Sequence, residues 1–259
     1  MLLHVGDISY ADVYNRTTLN SQVWVDYMNS LQRVVARVPY MTAPGNHEWQ
    51  FQFAAYTNWL PMPYGASNSD SPFWFSFDHL GVHVLSFSTE HDLGHTSPQR
   101  HWMERDLKRA NENRARVPWV VVIGHRPLYC SSIMCQDRCQ REAARFRKHL
   151  EDLLHHQRVD VVITGHNHQY ERSFPVYRGN AMQRDYINPQ APVYVVNGAA
   201  GNPEILDPTF KSSVPWRAFC QASMTTGFLL MTPSASRLAF QYVKSDGNEV
   251  IDSFNIVKQ

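Results

Sequence analysis

Several apolar segments of this chain end in a glycine followed by a polar residue, and this arrangement constrains the fold more than any other feature. The Val- and Ile-rich runs Trp119–Ile123 and Val159–Ile163 lead into Gly124-His125 and Gly165-His166. Such runs are typical of strands in a sheet that is covered on both faces. In α/β sheets, functional residues lie beyond the carboxyl ends of the strands. We therefore predict a layered α/β fold with a site at this edge.

Two motifs nearer the N-terminus occupy the same position after an apolar segment. Gly6-Asp7-Ile8-Ser9-Tyr10 follows Leu2–Val5, and Gly45-Asn46-His47-Glu48 follows Tyr40–Thr42. With the histidine motifs they supply a carboxylate, an amide, a phenol and imidazoles, which is a donor set suited to iron, zinc or manganese. The predicted metal ligands are Asp7, Tyr10, Asn46, His125, His166 and His168.

Asp7 is the candidate bridging ligand because it is the one carboxylate of this set. A carboxylate can give one oxygen to each of two ions about 3.5 to 4 Å apart, the spacing used for in-line displacement at phosphorus. Each residue alone has an ordinary alternative: a turn for Asp7, a core aromatic for Tyr10 and a helix cap for Asn46. Their joint occurrence favours a two-metal phosphoesterase site.

The combined pattern is Gly-Asp-x-x-Tyr, Gly-Asn-His-Glu, Gly-His and Gly-His-x-His-x-Tyr-Glu-Arg, and it spans Leu2 to Arg172. It resembles the purple acid phosphatases, a branch of the calcineurin-like metallophosphoesterases, and in particular their animal and protist members. The resemblance implies a four-layer α/β/β/α sandwich with two mixed β-sheets flanked by helices. Residues 1–175 would form the phosphoesterase core, and residues 176–259 would be a C-terminal segment that completes the second sheet.

The resemblance also divides the ligands between two ions. A ferric ion would be held by Asp7, Tyr10 and His168. A divalent ion, Fe, Zn or Mn, would be held by Asp7, Asn46, His125 and His166. In this family the phenolate bound to Fe(III) gives the protein its colour. The implied reaction is that of an acid phosphatase, in which a hydroxide bound to the dinuclear metal site hydrolyses a phosphate monoester.

His47 is the predicted catalytic residue. An imidazole can stabilise the phosphate or protonate a leaving alkoxide at acidic to neutral pH. The resemblance implies that the loop after Gly-His supplies another histidine to the substrate, but the corresponding segment, Ser131–Glu142, contains none. Arg138 or Arg141 could contact phosphate instead, with a solvated side chain as the ordinary alternative for each. We expect Glu171 and Arg172 to be structural and to orient His168 through hydrogen bonds, and we assign them no catalytic role.

One part of the family pattern lies outside this sequence. Family members carry an earlier Gly-Asp-x-Gly motif with a further ferric ligand, whereas this chain begins one strand before Asp7. We therefore expect a weaker ferric site. A catalytically impaired fragment or pseudo-phosphatase that binds at most one ion stays open as an alternative. A phosphodiesterase or nucleotide pyrophosphatase of the same superfamily is another, which Tyr10 disfavours.

Composition narrows the class of partner. The 259 residues have a net charge of +1 with acidic and basic residues interspersed, which predicts neither nucleic acid nor an anionic membrane as a partner. No run reaches the roughly 18 apolar residues of a membrane span. We expect a small-molecule phosphate monoester as the substrate, and the oligomeric state stays open.

The compartment is predicted by resemblance rather than by a leader, since the N-terminus lacks the pattern of a signal peptide. The family is secreted or enters the lysosomal or vacuolar lumen. Asn15-Arg16-Thr17 is a glycosylation sequon, which predicts a glycoprotein. Cys130 and Cys139 would form a disulfide in an oxidising compartment, with free thiols as the alternative.

Periodicity predicts the main elements between the motifs. The predicted helices are Asn20–Val35, Ser97 to about Asn111 and Arg141 to about His156. A hairpin is predicted over Phe73–Phe87, and Gly227–Val257 is predicted to form strands with a turn at Ser245–Asn248.

Overall fold

The computed structural model describes residues 1–14 and 17–259, without the side chains of residues 135–137. The helices are α1 Ala11–Tyr14, α2 Ser21–Val35, α3 Gln50–Trp59, α4 Pro98–Glu112 and α5 Met134–His156. The strands of the first half are β1 Leu2–His4, β2 Tyr40–Thr42, β3 Phe75–His79, β4 Val82–Ser86, β5 Trp119–Ile123, β6 Val161–Thr164 and β7 Tyr170–Ser173. Those of the second half are β8 Val176–Tyr177, β9 Asn180–Ala181, β10 Val193–Asn197, β11 Arg217–Cys220, β12 Gly227–Pro233, β13 Arg237–Lys244 and β14 Val250–Val257. The predicted sequon falls largely outside the described residues.

A seven-stranded mixed sheet forms the centre of the molecule, in the order β11-β7-β10-β6-β5-β4-β3. Strands β4, β5, β6 and β10 are parallel to one another. Strand β3 pairs antiparallel with β4, β7 pairs antiparallel with β10, and β11 pairs antiparallel with β7. Every residue of β5 and β6 is buried, as their Val- and Ile-rich sequences predict. The carboxyl ends of these parallel strands meet at one edge of the sheet.

The two faces of this sheet are covered by different layers. Because side chains alternate along a strand, Val120 and Val122 of β5 pack with residues of α4 and α5. Val121 and Ile123 pack instead with residues of β13 and β14. The two sheets and their flanking helices confirm the predicted α/β sandwich.

The second sheet layer has two separate parts. Strands β12, β13 and β14 form an antiparallel sheet, and β1 and β2 form a parallel pair. Helices α2 and α3 pack against β2 and β3 through the cluster around Trp24, Phe53 and Tyr56. Residues beyond 175 contribute to both layers, since β10 and β11 belong to the first sheet. The boundary at 175/176 therefore stays a prediction.

The predicted helices and hairpin occur with small differences at their ends. Helix α4 begins as predicted, with Ser97 Oγ accepting a hydrogen bond from Arg100 N at 3.1 Å and Pro98 at the first helical position. Helix α5 begins at Met134 rather than at Arg141. Its first turns are anchored by the Cys130–Cys139 disulfide. Among the described helices, none has the length and apolarity needed to cross a membrane.

Candidate metal centre

Three of the predicted ligands come together at the carboxyl edge of the central sheet. Asp7, His125 and His166 present ligand atoms that all lie within 4.8 Å of one another. His125 Nε2 lies 3.0 Å from Asp7 Oδ2 and 3.1 Å from His166 Nδ1. Asn46 Oδ1 lies 3.1 Å from the same His125 nitrogen. The structure therefore groups the four residues to which the resemblance assigned a divalent ion.

The donor set of this group fits a cation. His125 is fully buried, and its Nδ1 donates to the carbonyl oxygen of Val5 at 2.8 Å. Its Nε2 then faces a carboxylate oxygen and an amide oxygen, which is a concentration of lone pairs that a proton or a metal ion stabilises. Burial alone would lower the pKa of His125, but Asp7 outweighs burial and raises that pKa.

Asp7 and His166 are both in the form that a metal ligand requires. Burial alone would raise the pKa of Asp7, but His125 and the backbone N–H of His47 hold it well below its usual range. Burial lowers the pKa of His166 to about 4, so its imidazole is neutral in mildly acidic solution. Neutral imidazole and ionised carboxylate are the states that bind metal ions.

Tyr10 and His168 form a second group beside the first. Tyr10 Oη lies 3.1 Å from His168 Nε2, and His168 Nδ1 donates to the carbonyl oxygen of Ile205 at 3.1 Å. Burial, with Asp7 and Glu204, raises the pKa of Tyr10, so the phenol is neutral without a cation. A trivalent ion would supply the charge that a phenolate needs there. The ligand roles of all six residues stay predictions.

The backbone of the site adopts conformations that most residues avoid. Asp7, Tyr10 and His166 have φ angles of 57°, 54° and 63°, in the left-handed region that is costly for residues other than glycine. Gly45 allows a close approach, because a Cβ there would lie 2.3 Å from Asp7 Oδ1. Strained backbone of this kind is concentrated at functional sites.

Glu48 holds the two N-terminal motifs together, a role that the sequence analysis did not assign. Its buried carboxylate accepts hydrogen bonds from the backbone N–H groups of Asp7 at 2.9 Å, Ile8 at 2.7 Å and Gly45 at 2.8 Å. A glutamate three residues after the start of a helical turn is the one sequence signal for this contact. Burial and the charge of Asp7 raise the pKa of Glu48 to about 7.

His47 lies against the second group and has a carboxylate partner. Its ring centroid is 4.2 Å from that of Tyr10. Asp12 Oδ1 and Oδ2 accept from His47 Nδ1 at 2.9 and 3.0 Å. The backbone N–H of His47 donates to Asp7 Oδ1 at 3.0 Å. Asp12 thus fixes the ring, and no local sequence pattern predicts this pairing.

Glu171 and Arg172 are structural, as expected, but the expected contact with His168 is wrong. Glu171 accepts from Ser131 N at 2.9 Å and from Gln169 Nε2 at 3.0 Å. Arg172 forms a buried ion pair with Asp252 at 2.8 Å. Both side chains lie within the packed layers around β7, and His168 is oriented by its bond to Ile205 instead.

The remaining candidates for contacting phosphate lie on α5. Arg138 is exposed, and its Nε donates to Glu142 at 2.9 Å. Arg141 is also exposed and lies on the same helix. Contact of either arginine with phosphate stays a prediction.

Comparison with known families identifies the class of protein. A family described as calcineurin-like phosphoesterase matches residues 1–170. A family described as iron/zinc purple acid phosphatase-like protein C matches residues 191–253. The chain therefore belongs to the calcineurin-like phosphoesterases, with a C-terminal segment of the purple acid phosphatase type, as the resemblance of the motifs predicted.

The names of individual relatives are those of acid phosphatases and purple acid phosphatases. Acid phosphatase type 7 of Mus musculus is 38% identical over 234 residues, covering 84% of this chain and 51% of that protein. Purple acid phosphatase 18 of Arabidopsis thaliana is 32% identical over 251 residues, covering 94% of this chain and 53% of that protein. The solved structure of purple acid phosphatase PPD1 from yellow lupin seeds superposes with a TM-score of 0.84 at 26% identity, covering 99% of this chain and 46% of that one. The chain thus spans about half the length of these relatives.

Proposed function

We propose that this chain carries the active site of a metal-dependent acid phosphatase that hydrolyses phosphate monoesters. The observation that carries the proposal is the convergence of Asp7, His125 and His166 within 4.8 Å, beside the His47–Asp12 pair. The acid phosphatase names of the relatives support the same activity.

The donor chemistry of the site favours two different ions. Asp7, Asn46, His125 and His166 are nitrogen and oxygen donors that suit a divalent ion, Fe, Zn or Mn. Tyr10 and His168, with Asp7 between the groups, suit Fe(III), because a phenolate is a hard anionic donor. The iron/zinc description of the C-terminal family supports this choice. Bound ions would supply Lewis acidity and an activated water.

The protein's own residues would then bind and protonate the substrate. His47, fixed through its Nδ1 by Asp12, has its Nε2 available to hydrogen-bond the phosphate or to give a proton to the departing alkoxide. The carboxylates of Asp7 and Glu48 hold the two N-terminal loops together by accepting hydrogen bonds from backbone N–H groups. The substrate implied by this arrangement is a small phosphate monoester.

Release of p-nitrophenol from a monoester and from a diester tests the proposal. We expect the purified chain loaded with Fe and Zn to hydrolyse p-nitrophenyl phosphate at acidic pH faster than it hydrolyses bis(p-nitrophenyl) phosphate. His125→Ala should abolish this activity, whereas His101→Ala, on the exposed surface of α4, should leave it unchanged. Faster hydrolysis of the diester would favour the phosphodiesterase alternative, and an inactive loaded chain would favour the impaired fragment.

The visible spectrum tests the assignment of Tyr10. We expect Tyr10→Phe to remove the visible absorption of the iron-loaded chain while its far-ultraviolet circular dichroism stays the same. Tyr14→Phe is the control, since Tyr14 is exposed and lies on α1. An unchanged spectrum in Tyr10→Phe would contradict phenolate ligation.

We also propose that the protein is secreted or acts in the lysosomal or vacuolar lumen. The Cys130–Cys139 disulfide supports this, because disulfides persist in oxidising compartments. Non-reducing mass mapping of the protein isolated from its source should find this bond. Free thiols at both positions would contradict the proposal.

A further inference from the structure

The ring of His166 presents its two nitrogens to different partners. Nδ1 faces the metal group, 3.1 Å from His125 Nε2. Nε2 faces away from that group and lies 3.0 Å from Glu142 Oε2 on α5 and 3.2 Å from Arg126 Nη1. Arg126 Nη1 donates to the same oxygen, Glu142 Oε2, at 3.1 Å. The carboxylate can only accept, so the closer nitrogen, His166 Nε2, is assigned the proton. The lone pair of His166 is therefore on Nδ1, directed towards Asp7 and His125.

Glu142 is itself held on both oxygens. Arg126 Nη1 donates to Oε2 at 3.1 Å, and Arg138 Nε donates to Oε1 at 2.9 Å. The side chain of Arg126 is 16% exposed, whereas that of Arg138 is 60% exposed. An exposed ion pair contributes little, so Arg126 is the partner that fixes the carboxylate.

Arg126 is anchored in turn by a second glutamate. Glu90 accepts from Arg126 Nε at 2.8 Å and from Nη2 at 3.2 Å, a two-point contact in which Glu90 is 10% exposed. Thr89 Oγ1 donates to Glu90 Oε1 at 2.8 Å and accepts from the backbone N–H of Arg126 at 3.2 Å. Two-point pairs of this kind fix orientation as well as charge.

We propose that Glu142 is a positioning residue for His166. It accepts the Nε2 proton and so leaves Nδ1 as the ligand atom, and the Arg126–Glu90 pair holds it in place. The contacts link the loops after β4, β5 and β6 with α5, so the series Glu90, Arg126, Glu142, His166 joins four segments at the rim of the site. The inference rests on the proposed function of this site as a metal centre.

Zinc affinity of the full chain tests this inference. Loss of a carboxylate that orients a ligating histidine weakens metal binding about 10- to 100-fold. We expect this loss in Glu142→Ala, measured by titration with Zn²⁺ alone. Glu142→Gln retains an acceptor oxygen and should restore part of the affinity. Arg138→Ala, which removes the exposed partner of the same carboxylate, should bind zinc like the unmodified chain.

A second readout separates positioning from a general structural effect. In the metal-free chain, long-range ¹H–¹⁵N spectra should show His166 protonated at Nε2, and in Glu142→Ala a mixture of both tautomers. Unchanged zinc affinity and an unchanged tautomer in Glu142→Ala would overturn the inference while leaving the metal site intact. Failure of the unmodified chain to bind zinc would overturn the proposed function itself.

Discussion

At the residue scale, the histidines of the site are fixed by the nitrogen that faces away from it. His125 and His168 donate from Nδ1 to backbone carbonyl oxygens at 2.8 and 3.1 Å, which leaves Nε2 towards the site. His166 has the opposite arrangement, with Nε2 bonded to Glu142. Partners of this kind set the tautomer and the ring orientation before any ion binds.

The pair of His47 and Asp12 gives a prediction that depends on the leaving group. General-acid catalysis contributes about 10²- to 10⁴-fold. We therefore expect His47→Asn to lower kcat for an alkyl phosphate by at least about 100-fold, and to lower it less for p-nitrophenyl phosphate, whose leaving group needs little protonation. Asp12→Asn should show a smaller loss with the same dependence.

A matched substitution distinguishes this effect from a change of surface charge. Asp26 is exposed on α2, where its carboxylate accepts from Gln22 at 2.8 Å, and Asp26→Asn should leave both rates unchanged. Equal losses for alkyl and aryl phosphates in His47→Asn would contradict the general-acid role and favour phosphate binding alone.

At the element scale, the strand ends were predictable and the pairings between distant segments were not. An apolar run followed by glycine and a ligand residue is a local signal, and it located Asp7, Asn46, His125 and His166. Asp12 meets His47 and Glu142 meets His166 only because the fold brings separate segments together. No pattern within either segment specifies such a contact.

Local patterns do not specify contacts between distant segments, and this also explains two predictions that were wrong. Alternation along β7 places Glu171 and Arg172 on opposite faces of the strand, but it does not say which layer covers each face. In the structure Glu171 meets the Ser131 loop and Arg172 meets β14. Helix α5 also begins before its amphipathic stretch, at Met134, beside the disulfide.

The Arg172–Asp252 pair should anchor the C-terminal strand β14 to the central sheet. Asp252 accepts from Arg172 at 2.8 and 2.9 Å and from Tyr170 Oη at 2.8 Å, and both members of the ion pair are buried. Removal of one member of a buried pair costs about 3 to 5 kcal/mol. We expect Asp252→Asn to lower the free energy of unfolding in urea by about this amount.

Asp246→Asn is the control for that experiment, since Asp246 is exposed and pairs with Lys244 at 3.1 Å. Its unfolding free energy should change by less than about 1 kcal/mol. The double variant Arg172→Met/Asp252→Leu should recover part of the stability lost in the single variant. Equal stabilities of Asp252→Asn and Asp246→Asn would contradict an anchoring role for the pair.

At the scale of the whole molecule, the site is built from residues of two different parts of the sandwich. The central sheet supplies His125 and His166, and the segments around β1 and β2 supply Asp7, Asn46 and His47. The resemblance of the motifs predicted the sandwich correctly. It did not predict that residues beyond 175 enter both sheets, because strand order depends on packing across the whole chain.

Stability of the metal-free protein should depend on pH through Glu171. Burial raises the pKa of Glu171 from 4.5 to about 7, although hydrogen bonds from Ser131 oppose the shift. Between these two values the folded state binds a proton that the unfolded state has released. Glu171 therefore contributes its full stabilisation of the folded state below pH 4.5. This stabilisation is lost as the pH rises through about 7.

Urea unfolding of the metal-free chain across this pH range checks that expectation. Glu171→Gln removes the titrating group, so its unfolding free energy should fall less steeply with pH than that of the unmodified chain. Glu112→Gln, at the exposed end of α4, should keep the original slope. The same slope in all three proteins would contradict the assignment to Glu171.

The number of metal ions bound to each folded chain tests the central claim most directly. Iron, zinc and manganese should be measured by mass spectrometry on the purified, metal-loaded protein after removal of excess ions. The two groups of ligands, one around His125 and one at Tyr10 and His168, predict two ions per chain. One ion or none would contradict the two-metal site on which the phosphatase proposal depends.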